Sequence, residues 1–299
     1  MKPVHTGWLL LLGATVALAV PKADAPDAYL NVPAAGNIVA VPVSTPGDVF
    51  LPPPIIDIPQ DKAGDMIKLG RLIFTDTPRY ARRFTGNALS CSNCHLSEGR
   101  KPGAAPLWAA WGMYPMPGNQ PGEVWSFEAR IQGCFRYSQN GQGPQLDSPE
   151  MTALVAYAQW LSTGAPARTE LAGRGMFQQE TLAGGAPTPA SKPVYSVSHG
   201  QKVYQFQCAA CHGADGLGVT RKDNSYQFPP LWGQASYGGG SPLAQVPKLA
   251  LFVRANMPLG RGGSLSETDA NDVAAYILSK PRPSDPRIGW RQRWREARK

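Results

Sequence analysis

Hydrophobic and polar positions divide the chain into two similar stretches, framed by segments of a different texture. An apolar run from Gly7 to Val20 follows Lys2 and ends in Ala17-Leu18-Ala19. That is the order of a secretory leader with a small-x-small cleavage site, and the run is too short to span a membrane. From Pro21 to Pro54, proline and small residues recur without helical period, which predicts an extended arm. Helical patterns then follow, one holding Gly70 and Phe74 at i, i+4 and a later one holding Gly200 and Tyr204. Each stretch closes with an amphipathic pattern, Ser148 to Leu161 and Ser266 to Leu278, opened by serine and acidic residues. These predict helices with a serine N-cap and negative charge in the first turn, where the backbone N–H groups point outward. Pro106-Leu107-Trp108 recurs as Pro230-Leu231-Trp232, so the two stretches read as a diverged duplication. Gly184 to Pro193, rich in glycine and proline, predicts an exposed linker between them.

The chemistry sits at the same place in each stretch. Cys91-Ser-Asn-Cys94-His95 and Cys208-Ala-Ala-Cys211-His212 both match C-x-x-C-H, the attachment signal of c-type haem. Its spacing lets two thiols add to the two vinyl groups of one porphyrin while the histidine supplies an axial nitrogen. The sequence thus predicts two covalently attached haem c groups, bound through Cys91, Cys94 and His95 and through Cys208, Cys211 and His212. Haem attachment after export places the protein in a bacterial periplasm.

The order of first helix, C-x-x-C-H, loop, axial ligand and last helix resembles a class I cytochrome c domain. The resemblance implies a mainly α fold of two such domains, each packed around one haem, with Gly70 and Gly200 at the crossings of first and last helices. A backbone carbonyl near Pro106 or Pro230 could then accept from the proximal histidine. The organisation read from the chain is a signal peptide at 1–19, an arm at 20–54 and a first haem domain at 55–183. A linker at 184–194, a second haem domain at 195–285 and a basic tail at 286–299 follow.

Composition narrows the ligands on the far side of each iron. The 299 residues include four histidines and five cysteines. His5 leaves with the leader, His95 and His212 are proximal, and His199 precedes the first helix of the second domain, out of place for a distal site. Met257, in Asn256-Met257-Pro258 just ahead of the last helix, stands where class I cytochromes c present methionine. The corresponding loop of the first domain offers Cys134, the one cysteine the haems leave over; Met113 and Met116 are earlier and less well placed. A thiolate lowers the iron's potential and a thioether raises it. The formal net charge of +8 is eroded by haem propionates and by loss of Lys2. Much of the excess lies in the tail, at Arg287, Arg291, Arg293, Arg295, Arg298 and Lys299, with Trp290 and Trp294 between them. Such a tail could dock an acidic redox partner or an anionic membrane surface, or simply be solvated; an exported haem protein has no use for nucleic acid.

At these residues the chain resembles the diheme thiosulfate dehydrogenases, the tetrathionate-forming cytochromes, from about Lys68 to Pro283. The strongest pieces are Leu89 to Leu96 around the first motif, Arg130-Ile-Gln-Gly-Cys134-Phe135, Ser138 with Asn140-Gly141, Tyr226 to Gly233, and Asn256-Met257-Pro258. The resemblance implies His95 and Cys134 as ligands of an active-site haem, and His212 and Met257 as ligands of a haem that passes electrons out. It implies oxidation of thiosulfate to tetrathionate, reversible in some members, with electrons delivered to a redox partner such as a soluble cytochrome c. Both substrates are dianions, so Arg130, Arg136 and Ser138 near Cys134 are the first candidates to hold a sulfur oxyanion; Arg79, Arg82 and Arg83 are weaker ones. The chain departs from the family pattern twice. After Cys134-Phe135 the family continues arginine, serine, methionine, asparagine, glycine, whereas this chain has Tyr137-Ser138-Gln139-Asn140-Gly141, with Arg136 one position earlier. Between Trp111 and Trp125, where family members often carry arginine, there is no basic residue. Two lost cations would weaken anion binding by on the order of a few kcal/mol. A non-catalytic diheme electron carrier, serving a periplasmic dehydrogenase or terminal acceptor, fits those losses and the basic tail; the retained Cys134 favours the enzyme.

Overall fold

The computed structural model describes residues 49–118, 122–169, 171–175 and 194–289. The leader, most of the arm, the linker up to Val194 and the tail beyond residue 289 lie outside the described residues. The described residues fall within one compact unit.

Six helices carry the architecture: α1 (Lys62–Thr75), α2 (Phe127–Tyr137), α3 (Pro149–Leu161), α4 (Val197–Gln207), α5 (Val246–Asn256) and α6 (Glu267–Leu278). Five open on a side-chain cap. Asp61 Oδ1 accepts from Gly64 N at 2.8 Å, and Ser126 from Ala129 N at 3.1 Å. Ser148 accepts from Met151 N at 3.2 Å, Ser196 from His199 N at 3.2 Å, and Ser266 from Asp269 N at 3.0 Å. Each such cap contributes about 1 kcal/mol by satisfying an N–H the helix leaves open. The serines expected at 148 and 266 are among them.

In the first half α1 crosses α3, and in the second α4 crosses α6. Glycine makes both crossings close. A Cβ on Gly70 would run into the carbonyl of Ala153 and the Cβ of Tyr157, and one on Gly200 into the carbonyl of Asp272 and the Cβ of Tyr276. Beside each crossing an equivalent aromatic pair meets at a tilt: Phe74 and Tyr157 at 5.7 Å, and Tyr204 and Tyr276 at 5.6 Å between ring centroids. Each half therefore buries its own core, one around Ile73, Trp108, Phe135 and Leu161, the other around Trp232, Leu249, Val253 and Ile277. Two short antiparallel ribbons complete the loops. β1 (Met116–Pro117) pairs with β2 (Val124–Trp125), and β3 (Val219–Thr220) with β4 (Tyr226–Phe228).

The halves share a seam. Leu89 and Ala104 of the first half are buried within the core of the second, with Cys94 and Leu96 against it. Asn87 Nδ2 donates to Ser138 O at 3.1 Å and to Ser236 O at 3.2 Å, and Asn140 Nδ2 donates to Ser236 O at 2.8 Å. Arg287, counted above with the basic tail, is spent here. It is paired with Asp285 at 2.8 Å, donates to Gly240 O at 3.1 Å and lies 4.4 Å over the Tyr137 ring. The end of the arm lies on the first half, where Phe50 meets Trp108 at 5.6 Å and Arg100 Nη2 donates to Pro52 O and Pro53 O at 2.9 and 2.7 Å. Among the described residues no helix is long and apolar enough to cross a membrane.

Candidate haem centres and active site

The first motif follows α1 through a turn at Thr77, which is fully buried. Thr77 Oγ1 accepts from Cys91 N at 3.2 Å and stands 3.5 Å from Cys91 Sγ, so the start of the motif is tied to the end of the first helix. His95 Nδ1 lies 2.6 Å from Ala105 O, and His212 Nδ1 lies 2.8 Å from Pro229 O. A carbonyl can only accept, so Nδ1 carries the proton in both rings and Nε2 keeps its lone pair for a metal. In each half the acceptor is the residue immediately before the recurring proline. Burial lowers the pKa of both rings, against the opposing effect of the carbonyl bond, and the charge of Arg130 lowers His95 further. Both imidazoles are held neutral, as iron ligation requires.

The cysteines fit the same group. Burial pushes the thiols of Cys91 and Cys94 up to about 12 and that of Cys208 up to about 11. Sulfur in such places suits a neutral thioether better than a free thiolate. Arg100 Nη1 is buried without a protein acceptor, the kind of donor a haem propionate takes. On these grounds the residues present fit two attached haems.

Cys134 lies on α2, across from the first motif, and its charge bears on both Cys91 and Cys94. Burial raises its thiol pKa, and Arg130 acts against that rise. Residues four apart share a helix face, so Arg130 stands one turn above Cys134. Arg136, two positions on, is turned to another face and is exposed. Ser138 closes the helix one turn below Cys134, its N–H donating to Cys134 O at 2.9 Å, while its hydroxyl donates to Ser241 Oγ of the second half at 3.1 Å. Of the weaker candidates, Arg83 is paired with Glu150 at 2.6 Å and stacks on Phe84, while Arg79 stacks on Tyr80. Arg82 Nη1 donates to Asn87 O at 3.4 Å.

Two residues join the cluster that the sequence did not single out. Burial raises the Tyr114 phenol, Arg130 and Arg174 pull it down, and Cys134 pushes it up, so Tyr114 lies within electrostatic range of all three. Arg174 is brought there by a return of the chain after α3. Gly103 N donates to Gly173 O and Ala105 N to Gly175 O, both at 2.8 Å. The helical phase of Arg130 and Cys134 was available in the sequence. Nothing local signals Arg174.

In the second half, Met257 caps α5, its N–H donating to Val253 O at 2.8 Å, and it packs partly buried against the second core. His199 is engaged elsewhere, with Nδ1 2.9 Å from Asp272 Oδ2 and Nε2 3.5 Å from Asp269 Oδ1.

The match with known proteins follows the same division. Residues 79–167 match the family described as SoxA/TsdA, cytochrome c domain, and residues 197–281 match the cytochrome c family. A thiosulfate dehydrogenase of Stutzerimonas stutzeri is 44% identical over 239 residues, which is 80% of this chain and 75% of that protein. The chain belongs to the thiosulfate dehydrogenase family. A second thiosulfate dehydrogenase, from Thiomonas intermedia, is 45% identical over 241 residues, 81% of this chain and 74% of that protein. Among solved structures, the thiosulfate dehydrogenase (TsdBA) of Marichromatium purpuratum superposes with a TM-score of 0.71 at 38% identity. That likeness covers 80% of this chain, which spans only half the length of the solved one. The fold is accordingly that of two cytochrome c domains, and the family's cofactors are two covalently bound c-type haems.

Proposed function

We propose that the protein is a periplasmic enzyme that oxidises thiosulfate to tetrathionate at the first haem and passes the electrons out through the second. The observation that carries the reading is the placement of Cys134 and Arg130 on one face of α2, opposite the Cys91–His95 motif. His95 and Cys134 would hold the first iron, and His212 and Met257 the second. When bound, the haems supply the electron acceptors. The chain's own residues do the rest. Arg130 and Arg174 offset the charge of two dianions that would otherwise repel each other. Arg174 stands in for cation that the sequence shows to be missing between Trp111 and Trp125.

The covalent chemistry belongs to Cys134. Its thiolate and the sulfane sulfur of one thiosulfate form a sulfur–sulfur bond, and two electrons depart. The sulfane sulfur of a second thiosulfate attacks that of the adduct, the bond to Cys134 breaks, and tetrathionate leaves with the thiolate restored. Charge and electrons balance without a proton. The electrons then go to a redox partner such as a soluble cytochrome c.

The test is thiosulfate-driven reduction of the oxidised holoprotein, with tetrathionate assayed as product. Reduction with tetrathionate formed supports the enzyme. Haems that stay oxidised in thiosulfate yet respond to a strong reductant sink it and leave an electron carrier. Arg130→Ala and Arg174→Ala should each raise KM for thiosulfate by about tenfold, the worth of one charge-assisted contact. A KM unmoved in both variants would remove the two arginines from the site.

A further inference from the structure

Asn256 is completely buried at the end of α5 and immediately precedes Met257. Its Nδ2 donates to Phe252 O at 3.0 Å within its own helix, and to Gly103 O of the first half at 2.9 Å. Gly103 is two residues from Ala105, the residue whose carbonyl accepts from His95 Nδ1. The short segment between them is fixed on every side. Gly103 N and Ala105 N are bonded to Gly173 O and Gly175 O, and Ala104 is buried in the second half's core. The local carbonyl of Phe252 would by itself serve a helix-terminal amide; the bond across the seam is additional.

We propose that Asn256 is a positioning residue that couples the two haem sites, holding with one carboxamide both the Met257 segment and the loop that orients His95. The proposal rests on the ligand reading given above for His95 and Met257. Its physical content is that the acceptor of a ligating histidine sets both the ring's orientation and its donor strength. If Asn256 fixes that acceptor's loop, then rearrangement at either haem is felt at the other, and the coupling is reciprocal.

The experiment is a potentiometric titration of the holoprotein, with the electron paramagnetic resonance signals of both haems followed in wild type, Asn256→Ala, Asn256→Ser and Met257→Leu. Met257→Leu should alter the signal of the second haem. Asn256→Ala, with Met257 intact, should shift the signal of the first haem. It should also move that haem several-fold toward the reduced form at a fixed poise, because a looser Ala105 acceptor leaves His95 a weaker donor. Asn256→Ser, too short to reach Gly103 but leaving a smaller void, makes the same test if the alanine variant fails to mature. A first-haem signal identical to wild type, with only a loss of thermal stability, overturns the proposal and makes Asn256 a packing residue. A second-haem signal unmoved by Met257→Leu overturns the ligand reading instead, and the coupling falls with it.

Discussion

Replacing Cys134 with alanine is expected to lower turnover with thiosulfate by roughly 10⁴-fold, the scale on which loss of a nucleophile is felt in enzymes that form covalent intermediates. The argument is one of position. Cys134 is the one cysteine outside the two C-x-x-C-H motifs. It lies half-buried opposite the first of them, with Arg130 a turn away. The cysteine belongs to neither attachment motif, so the variant should still carry two haems that a strong reductant reduces. The spectrum should change at the first haem alone. Steady-state assay of tetrathionate beside the reductive titration checks both parts. A variant that turns over at close to the wild-type rate would remove Cys134 from the chemistry.

The second large effect is on stability. In an ordinary helix, glycine to alanine stabilises by up to about 1 kcal/mol. At Gly70 and Gly200 the sign should reverse. The added methyl would meet the carbonyls of Ala153 and Asp272, which belong to the backbone of the partner helix and cannot turn aside as a side chain can. The helices must separate, and overpacking of this kind costs about 3 kcal/mol. Urea unfolding of the holoproteins should show a midpoint well below wild type for Gly70→Ala and for Gly200→Ala. A midpoint equal to or above wild type would mean that the crossings have slack.

What could be read from the chain was what is local. Serine caps at 148 and 266 depend on residues a few positions apart, and the structure forms both; the glycines at the helix crossings, implied by the cytochrome c resemblance, stand there too. Phase along a helix is also local, and it separates Arg130 from Arg136 relative to Cys134. The residues that escaped depend on the chain's return. Arg174 comes within range of Tyr114 because residues 173 and 175 pair with 103 and 105. The Ser138 hydroxyl is engaged because a serine of the other half lies within reach. Arg287 read as part of a charged tail until the seam gave it an aspartate, a carbonyl and a tyrosine ring. No pattern in the sequence marks a contact between halves.

That seam bears on how such a protein could be taken apart. Leu89 and Ala104 sit in the core of the other half, and Asn87 and Asn140 spend their amides on Ser236. A gene cut within residues 176–193 and expressed as two fragments would give each piece a bare face shaped for the other. One fragment would offer Leu89, Ala104 and two amide donors, the other an apolar core and the Ser236 carbonyl that accepts from both amides. The duplication that reads as two independent modules has become a single object, and its halves, if separated, would be expected to find each other again by complementation.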